Sequence, residues 1–376
     1  MGPLSGLKII ELAGIGPGPF CGMMLSDMGA EVIRVERPGA LDVSKDVLCR
    51  GRRSIAVDLK SDDGREIVMD LIGQADAVFE GFRPGVMERL GLGPDACLAK
   101  NPKLVFGRMT GWGQEGPLAK VAGHDINYIS LTGALHSIGR KGEKPVAPLN
   151  LVGDFGGGGM YLAFGMVCAL LEAKTSGKGQ VVDAAMVDGS ASLMAMFSTF
   201  QGMGQFSEER EDHMLDGGAH FYDTYETKDG KYVSIGSIEP QFYQLLIEKA
   251  ELSAEQFAPQ MNPGKWGELK TVLTEVFKAK TRDEWCEIME GTDVCFAPIL
   301  SMKEAPEHEH LKARNTYITL DGIVQPAPAP RFSRSQAEMP SKGKVPGEDT
   351  REVLSDFGLT EQQIVGLIDA GVVTER

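Results

Sequence analysis

The chain has 376 residues, 42% of them hydrophobic, and a formal net charge of −15 at pH 7. Such a length outgrows one ordinary hydrophobic core and points to two domains of a globular protein. An acidic chain with no long block of Lys or Arg repels phosphate backbones, which excludes nucleic acid as a partner.

Residues 7–12 read as a buried strand. A Gly/Pro turn over 14–19 follows, then a helix over 20–28 and a strand over 31–36, which together make one βαβ unit. Residues 65–74 read as a helix, 77–80 as a short strand and 104–109 as another. Strands alternating with helices predict an α/β fold whose parallel sheet is covered on both faces. From 156 onward a long helical region is interrupted at 180–183, and the polar stretch 208–218 suits a linker. A strand over 231–235 and helices over 241–250, 270–278 and 282–289 follow. The stretch 325–350, rich in Pro, Ser and charge, predicts an extended surface segment, and a short amphipathic helix over 361–370 closes the chain.

The cysteines, Cys21, Cys49, Cys97, Cys168, Cys286 and Cys295, form no C-x-x-C pair. That is the pattern of reduced thiols in a cytoplasmic protein. The first residues enter a strand with no basic region ahead of an apolar run, so no signal peptide is expected. Gly2 lacks the Ser or Thr that myristoylation needs, and Thr374-Glu375-Arg376 is no peroxisomal address. Gly or charge breaks each long apolar stretch, so no membrane span is expected.

The chemistry concentrates in two segments, Gly123-His124-Asp125-Ile126-Asn127-Tyr128 and Asp154-Phe155-Gly156-Gly157-Gly158-Gly159. An imidazole and a carboxylate in separate loops, facing each other across a bound carbon, are what a two-base proton transfer needs. The glycines let backbone approach a ligand, and the helix predicted over 160–174 would aim its N-terminus at the same place. Gly14-Ile15-Gly16-Pro17-Gly18-Pro19 imitates a dinucleotide turn, with Glu36 where a ribose-binding acid would sit. Pro19 replaces the third glycine, however, and Pro17 and Pro19 lack amide donors for a pyrophosphate. The segment therefore reads as a tight turn with Pro at the helix start. Arg34, Arg37, Arg50, Arg52, Arg53, Arg83 and Arg89 cluster near predicted strand ends, and a phosphate-binding role is expected for some of them. His308 and His310 stand among acids, where a solvated loop is expected rather than a metal site. Met186, Met194, Met196, Met203 and Met214 crowd one region and suit either core packing or an adaptable acyl site.

These segments, with Leu4-Ser5-Gly6-Leu7, Ser26-Asp27-Met28-Gly29-Ala30-Glu31-Val32-Ile33, residues 53–60, Phe82-Arg83-Pro84-Gly85-Val86-Met87-Glu88-Arg89-Leu90-Gly91-Leu92, Thr110-Gly111-Trp112-Gly113, Ser176-Gly177-Lys178-Gly179-Gln180 and Thr350-Arg351-Glu352-Val353-Leu354, resemble the family III CoA-transferases nearly end to end. The resemblance implies a large Rossmann-like CoA-binding domain (1–186 and 332–376), linkers (187–219 and 316–331) and a smaller central α+β domain (220–315), in an interlocked homodimer. It places the active site between one chain's large domain and its partner's small domain. It also implies that His124, Asp154 and Glu239 are catalytic, a set that favours the acyl-CoA racemases of the family. His124 and Asp154 would exchange the α-proton of a 2-methylacyl-CoA through an enolate held by amides of the turn after Asp154, and Glu239 would orient His124. The alternative is CoA transfer between carboxylic acids through a covalent intermediate on Asp154. The resemblance assigns CoA binding to Arg37, Val57, Asp58, Leu59, Lys60, Gly81, Phe82, Arg83, Arg89, Gly123, Asp125, Ile126, Asn127 and Tyr128. It calls for no metal and no cofactor, since CoA is part of the substrate. A nicotinamide oxidoreductase and a silent acyl-CoA binder are the competing classes.

Overall fold

Adjacent apolar side chains along the first strands decide the layering. In the computed structural model, which describes residues 2–376, strand β1 (Lys8–Leu12) buries Ile9 in one hydrophobic core and Ile10 in another. Val32 and Ile33 of β2 (Glu31–Glu36) divide in the same way. Successive side chains of a strand point to opposite faces, so two apolar runs of this kind require cover on both sides of the sheet.

The remaining elements of this first unit follow in order. They are helix α1 (Pro17–Asp27), strand β3 (Arg53–Val57), α2 (Asp62–Gly73), β4 (Ala77–Glu80), α3 (Val86–Arg89), α4 (Pro94–Lys100), β5 (Val105–Thr110) and α5 (Asp125–Leu131). A π-helical segment (Leu151–Gly159) then runs without a break into α6 (Met160–Ser176), followed by β6 (Gln180–Ala185) and α7 (Met186–Leu193). The sheet order is β12–β3–β2–β1–β4–β5–β6, where β12 (Val373–Thr374) is an antiparallel edge on β3 and every other neighbour pairs parallel. Strand order reverses at β1 and β4, and open α/β sheets bind ligands at such a switch point, beyond the carboxyl ends of the strands.

The helix from Leu151 to Ser176 differs from expectation. Its glycines do not form a turn but lie inside the helix, which at 26 residues is long and apolar enough to cross a membrane by length and composition alone. Its inner face is a core face: Leu162, Met166, Ala169 and Leu170 pack beneath the sheet. Gly107 of β5 makes that packing possible, because a Cβ there would stand 2.9 Å from Leu162 Cδ1 and 3.1 Å from Met166 Sδ.

The second unit comprises residues 133–148 and 194–312, and the chain returns to the first unit from Ala313 onward. Helix α8 (Ala195–Gly202) is followed by an antiparallel sheet of β7 (Tyr222–Glu226), β8 (Tyr232–Gly236) and β9 (Phe296–Ile299). Helices α9 (Pro240–Lys249), α10 (Ala254–Phe257), α11 (Pro263–Lys278) and α12 (Arg282–Met289) lie between β8 and β9 in sequence. Trp266, Leu269, Leu273 and Phe277 recur at helical spacing on α11 and join Phe221, Tyr225 and Trp285 in one core. The last elements are α13 (Glu309–Ala313), the hairpin β10 (Tyr317–Leu320) and β11 (Ile323–Pro326), α14 (Thr350–Asp356) and α15 (Glu361–Asp369).

Candidate active site

Where β1 and β4 part, a cleft of about 490 Å³ opens, lined by the turn after β1, residues 81–84 after β4, residues 109–112 at the end of β5, and His124, Tyr128 and Asp154. Its walls follow from local sequence. Gly16 takes a left-handed conformation (φ 66°) and Pro17 starts α1, so the chain turns sharply into the helix. A Cβ on Gly16 would stand 3.1 Å from Asp154 Oδ2, which places this turn directly against the carboxyl. Phe82 N donates to Glu80 Oε2 at 2.6 Å, and Arg108 binds the other oxygen of Glu80 at 3.2 Å. That pair fixes the turn carrying Phe82 and Arg83.

His124 is the exposed N-cap residue of α5, with extended backbone, and its amide donates to Asn127 Oδ1 at 3.1 Å. Gly123 must be small, because a Cβ there would lie 2.7 Å from the Tyr128 ring and 3.0 Å from Trp112. Those two rings meet edge to face at 4.8 Å. Asp154 sits half-buried in the π-helical segment. Asn150 Nδ2 donates to its Oδ2 at 3.3 Å, and its own amide donates to Asp125 Oδ2 at 2.7 Å. The Asp154 carboxyl is raised above the ordinary aspartate range, first by burial, against the lowering bond from Asn150, with the Asp125 charge raising it further and His124 opposing.

The glycines after Asp154 serve packing. A Cβ on Gly157 would lie 2.6 Å from Ser190 N, and one on Gly189 would lie 1.9 Å from Gly157 O, so the segment and α7 touch backbone to backbone. Their amides belong to the helix and form no open turn. At the start of α5, Asn127 N donates to His124 O at 2.8 Å, whereas the amides of Asp125 and Ile126 have no acceptor within the helix by position.

A second cavity of about 540 Å³ shares Leu12, Gly14, Ile15, Gly16 and Phe82 with the cleft and extends past Arg37, Val57, Asp58, Leu59 and Lys60. The expected CoA-contact residues therefore divide. Those five and Phe82 line the second cavity, while Gly81, Arg83, Gly123 and Tyr128, again with Phe82, line the cleft. Arg89 ends α3, and Ile126 and Asn127 follow His124 on exposed positions of α5. Asp125 is turned inward and buried.

Three other arginines are engaged elsewhere. Arg50 pairs with Asp27 at 2.6 Å, Arg52 with Glu11 at 2.9 Å, and Arg34 lies 3.4 Å from Glu11 and 3.3 Å from Glu36, all buried. Arg53 pairs with Glu31 and Asp356, each at 2.8 Å. Arg37 lines the second cavity, Arg34 shares that wall while paired with Glu11 and Glu36, and Arg83 lines the cleft, whereas Arg50, Arg52 and Arg53 line neither. Glu239 belongs to the second unit as N-cap of α9, where its carboxylate makes no hydrogen bond or ion pair among the described residues. His308 pairs with Glu290 at 2.7 Å, and among the described residues no group of three or more His, Cys, Asp or Glu is placed to hold a metal. Of the crowded methionines, Met186 is buried and lines the cleft, whereas Met196 and Met203 are exposed. Sequence reasoning passed over Asn150 and read Gly16 only as part of a tight turn. Only the position of Gly16, just beyond the end of a first parallel strand, carried a signal.

The family model for CoA-transferase family III matches residues 4–350. The alpha-methylacyl-CoA racemase of Mus musculus is 47% identical over 368 residues, spanning 97% of this chain and 96% of that protein. The alpha-methylacyl-CoA racemase of Homo sapiens is 45% identical with the same coverage. Succinyl-CoA:glutarate CoA-transferase of Homo sapiens is 27% identical over 399 residues, spanning 100% of this chain and 90% of that protein. A solved structure, a CAIB/BAIF family protein from Brucella suis, superposes with a TM-score of 0.81 at 27% identity, covering 95% of this chain and 99% of that one.

Proposed function

The chain belongs to CoA-transferase family III, and we propose that it is an α-methylacyl-CoA racemase that inverts the α-carbon of 2-methylacyl-CoA thioesters by proton exchange. The similarity to two racemases along nearly the whole chain supports the activity. The observation that carries the mechanism is that an imidazole and a carboxyl raised toward its protonated form line one cleft at the switch point of the sheet.

The α-carbon of a thioester is a weak acid, so its deprotonation needs a positioned base and a stabilised enolate oxygen. In one direction neutral His124 removes the α-proton from one face, and protonated Asp154 delivers a proton to the other. In the reverse direction the roles exchange. The productive pair therefore holds one proton between its two members. The raised Asp154 supports that state, since a carboxyl that gave up its proton too readily would be no donor. Amides at the start of α5 are assigned the enolate oxygen, in place of the glycine turn expected from sequence. The cavity beyond Gly14–Gly16, with Arg37 and Lys60, is assigned to CoA. Glu239 is assigned to orient the imidazole of His124, in a self-associated homodimer. No metal or further cofactor enters the scheme, and the reading places the enzyme in the cytoplasm.

The test is α-hydrogen exchange of a single 2-methylacyl-CoA epimer in heavy water. Deuterium should appear at the α-carbon with inversion, and His124→Ala and Asp154→Asn should each reduce the rate by at least about a hundredfold. Absence of exchange in the wild type, with a hydroxylamine-trapped adduct on Asp154, would replace the racemase by a CoA-transferase.

A further inference from the structure

Asp125, beside His124 in sequence, is 7% exposed. Its Oδ2 accepts the backbone amide of Asp154 at 2.7 Å, while its Oδ1 is buried with no hydrogen-bond partner. Among the described residues no cation pairs with it. A buried carboxylate normally carries such a partner, and Asp125 acts on the neighbouring Asp154 carboxyl by raising it. Gly153 is shaped around it: a Cβ there would lie 2.5 Å from Asp125 Oδ2 and 2.8 Å from its Cγ. The site is thus built to bring this carboxylate against the π-helical turn that carries Asp154. π-helical segments recur at functional sites because they re-aim one side chain out of an α-helical path.

We propose that Asp125 is a positioning residue for the proton-transfer pair: it fixes the Asp154 turn through the amide and sets, as a fixed negative charge, the pH window in which the pair holds its single proton. The inference rests on the racemase reading. The other groups facing Asp154 are few. Asn150 donates to it, His124 and Tyr128 lie across the cleft, and Arg83 acts on Tyr128. Helix α1, which packs on the π-helical segment, carries no charge before Asp27, and α7 brings only the exposed Asp188. β5 brings Arg108, paired with Glu80 and Glu88, β6 brings Asp183, and α6 carries no charge before Glu172, so among the described residues no ion pair joins a cation to Asp125.

The experiment is the pH profile of α-hydrogen exchange for the wild type, Asp125→Asn and Gly153→Ala. Asn keeps an acceptor for the Asp154 amide and loses the charge. The Gly153 methyl keeps the charge and drives the carboxylate off its place, and it covers the case in which Asp125→Asn fails to fold. Asp125→Asn should move the bell-shaped profile toward acid by about one pH unit. Gly153→Ala should lower the maximum at least about tenfold and move the profile in the same direction. Profiles that fall in height without moving would overturn the inference, because a purely structural role changes the maximum and not the pH window. Exchange missing from the wild type would bring down the racemase reading itself. Exchange in the wild type with unmoved profiles in both variants removes only the role given to Asp125.

Discussion

His220 should make the second unit acid-labile, and the structure sets the magnitude. The side chain is fully buried in the core of that unit, with Phe221 5.1 Å and Phe257 5.8 Å away between ring centroids. The Tyr243 hydroxyl donates to Phe257 O at 3.0 Å, so His220 Nε2, 2.6 Å from that oxygen, must carry its hydrogen and donate. Nδ1 then remains a bare acceptor with no partner. A second proton on the ring would put an unpaired charge into this core, and burial pushes the imidazole down to about 4, with Lys270 adding to the shift. An unfolded His titrates near about 6.5, and each unit of difference is worth about 1.4 kcal/mol. The folded value lies below the unfolded one, so between them the unfolded chain binds more protons. Stability must therefore fall as the pH drops from about 6.5 to 4, by about 3 kcal/mol in all. The assay is urea unfolding at stepped pH, followed by tryptophan fluorescence in a Trp112→Phe background, where the remaining Trp266 and Trp285 both report the second core. His220→Leu should lose about 1 kcal/mol at neutral pH, from the hydrogen bond, and should lack the extra acid sensitivity. Wild type and variant whose stabilities decline in parallel from pH 7 to 4 would refute the reasoning.

Three further substitutions test packing and charge burial in the first unit. Gly189→Ala places a methyl 1.9 Å from Gly157 O; it should cost about 3 kcal/mol in chemical denaturation and reduce exchange activity, since the segment carrying Asp154 must shift. Arg50→Met leaves Asp27 buried without its partner and should cost about 3–5 kcal/mol; adding Asp27→Leu should recover most of that loss in the same denaturation assay, whereas additive losses would contradict a buried pair.

Several elements were legible before any fold was known. The strands at 31–36 and 77–80 stand where apolar runs bounded by turns placed them, and the helix at 282–289 keeps the expected bounds. The capping box of Thr281 and Glu284 explains the last of these, because its start is written in two residues three apart. Strands β7 and β9 were not legible. Tyr222–Glu226 and Phe296–Ile299 are short, mixed in polarity and stable only through β8 between them. The sequence predicts a helical region from 156 onward, but the segment around Asp154 reads as loop, because glycine signals freedom locally, whereas here its missing side chains admit the backbone of α7.

The alternation of strands with helices sufficed to point to a covered parallel sheet, and two short motifs were enough to nominate His124 and Asp154. Tertiary structure alone decided which arginines line a cavity and which are ion-paired. It also settled the direction in which the Asp154 carboxyl is shifted and what Asp125 touches. The physical reason is range: strand periodicity and helix caps arise from neighbours a few residues apart, whereas burial, ion pairing and the field at a carboxyl depend on groups brought close only by folding.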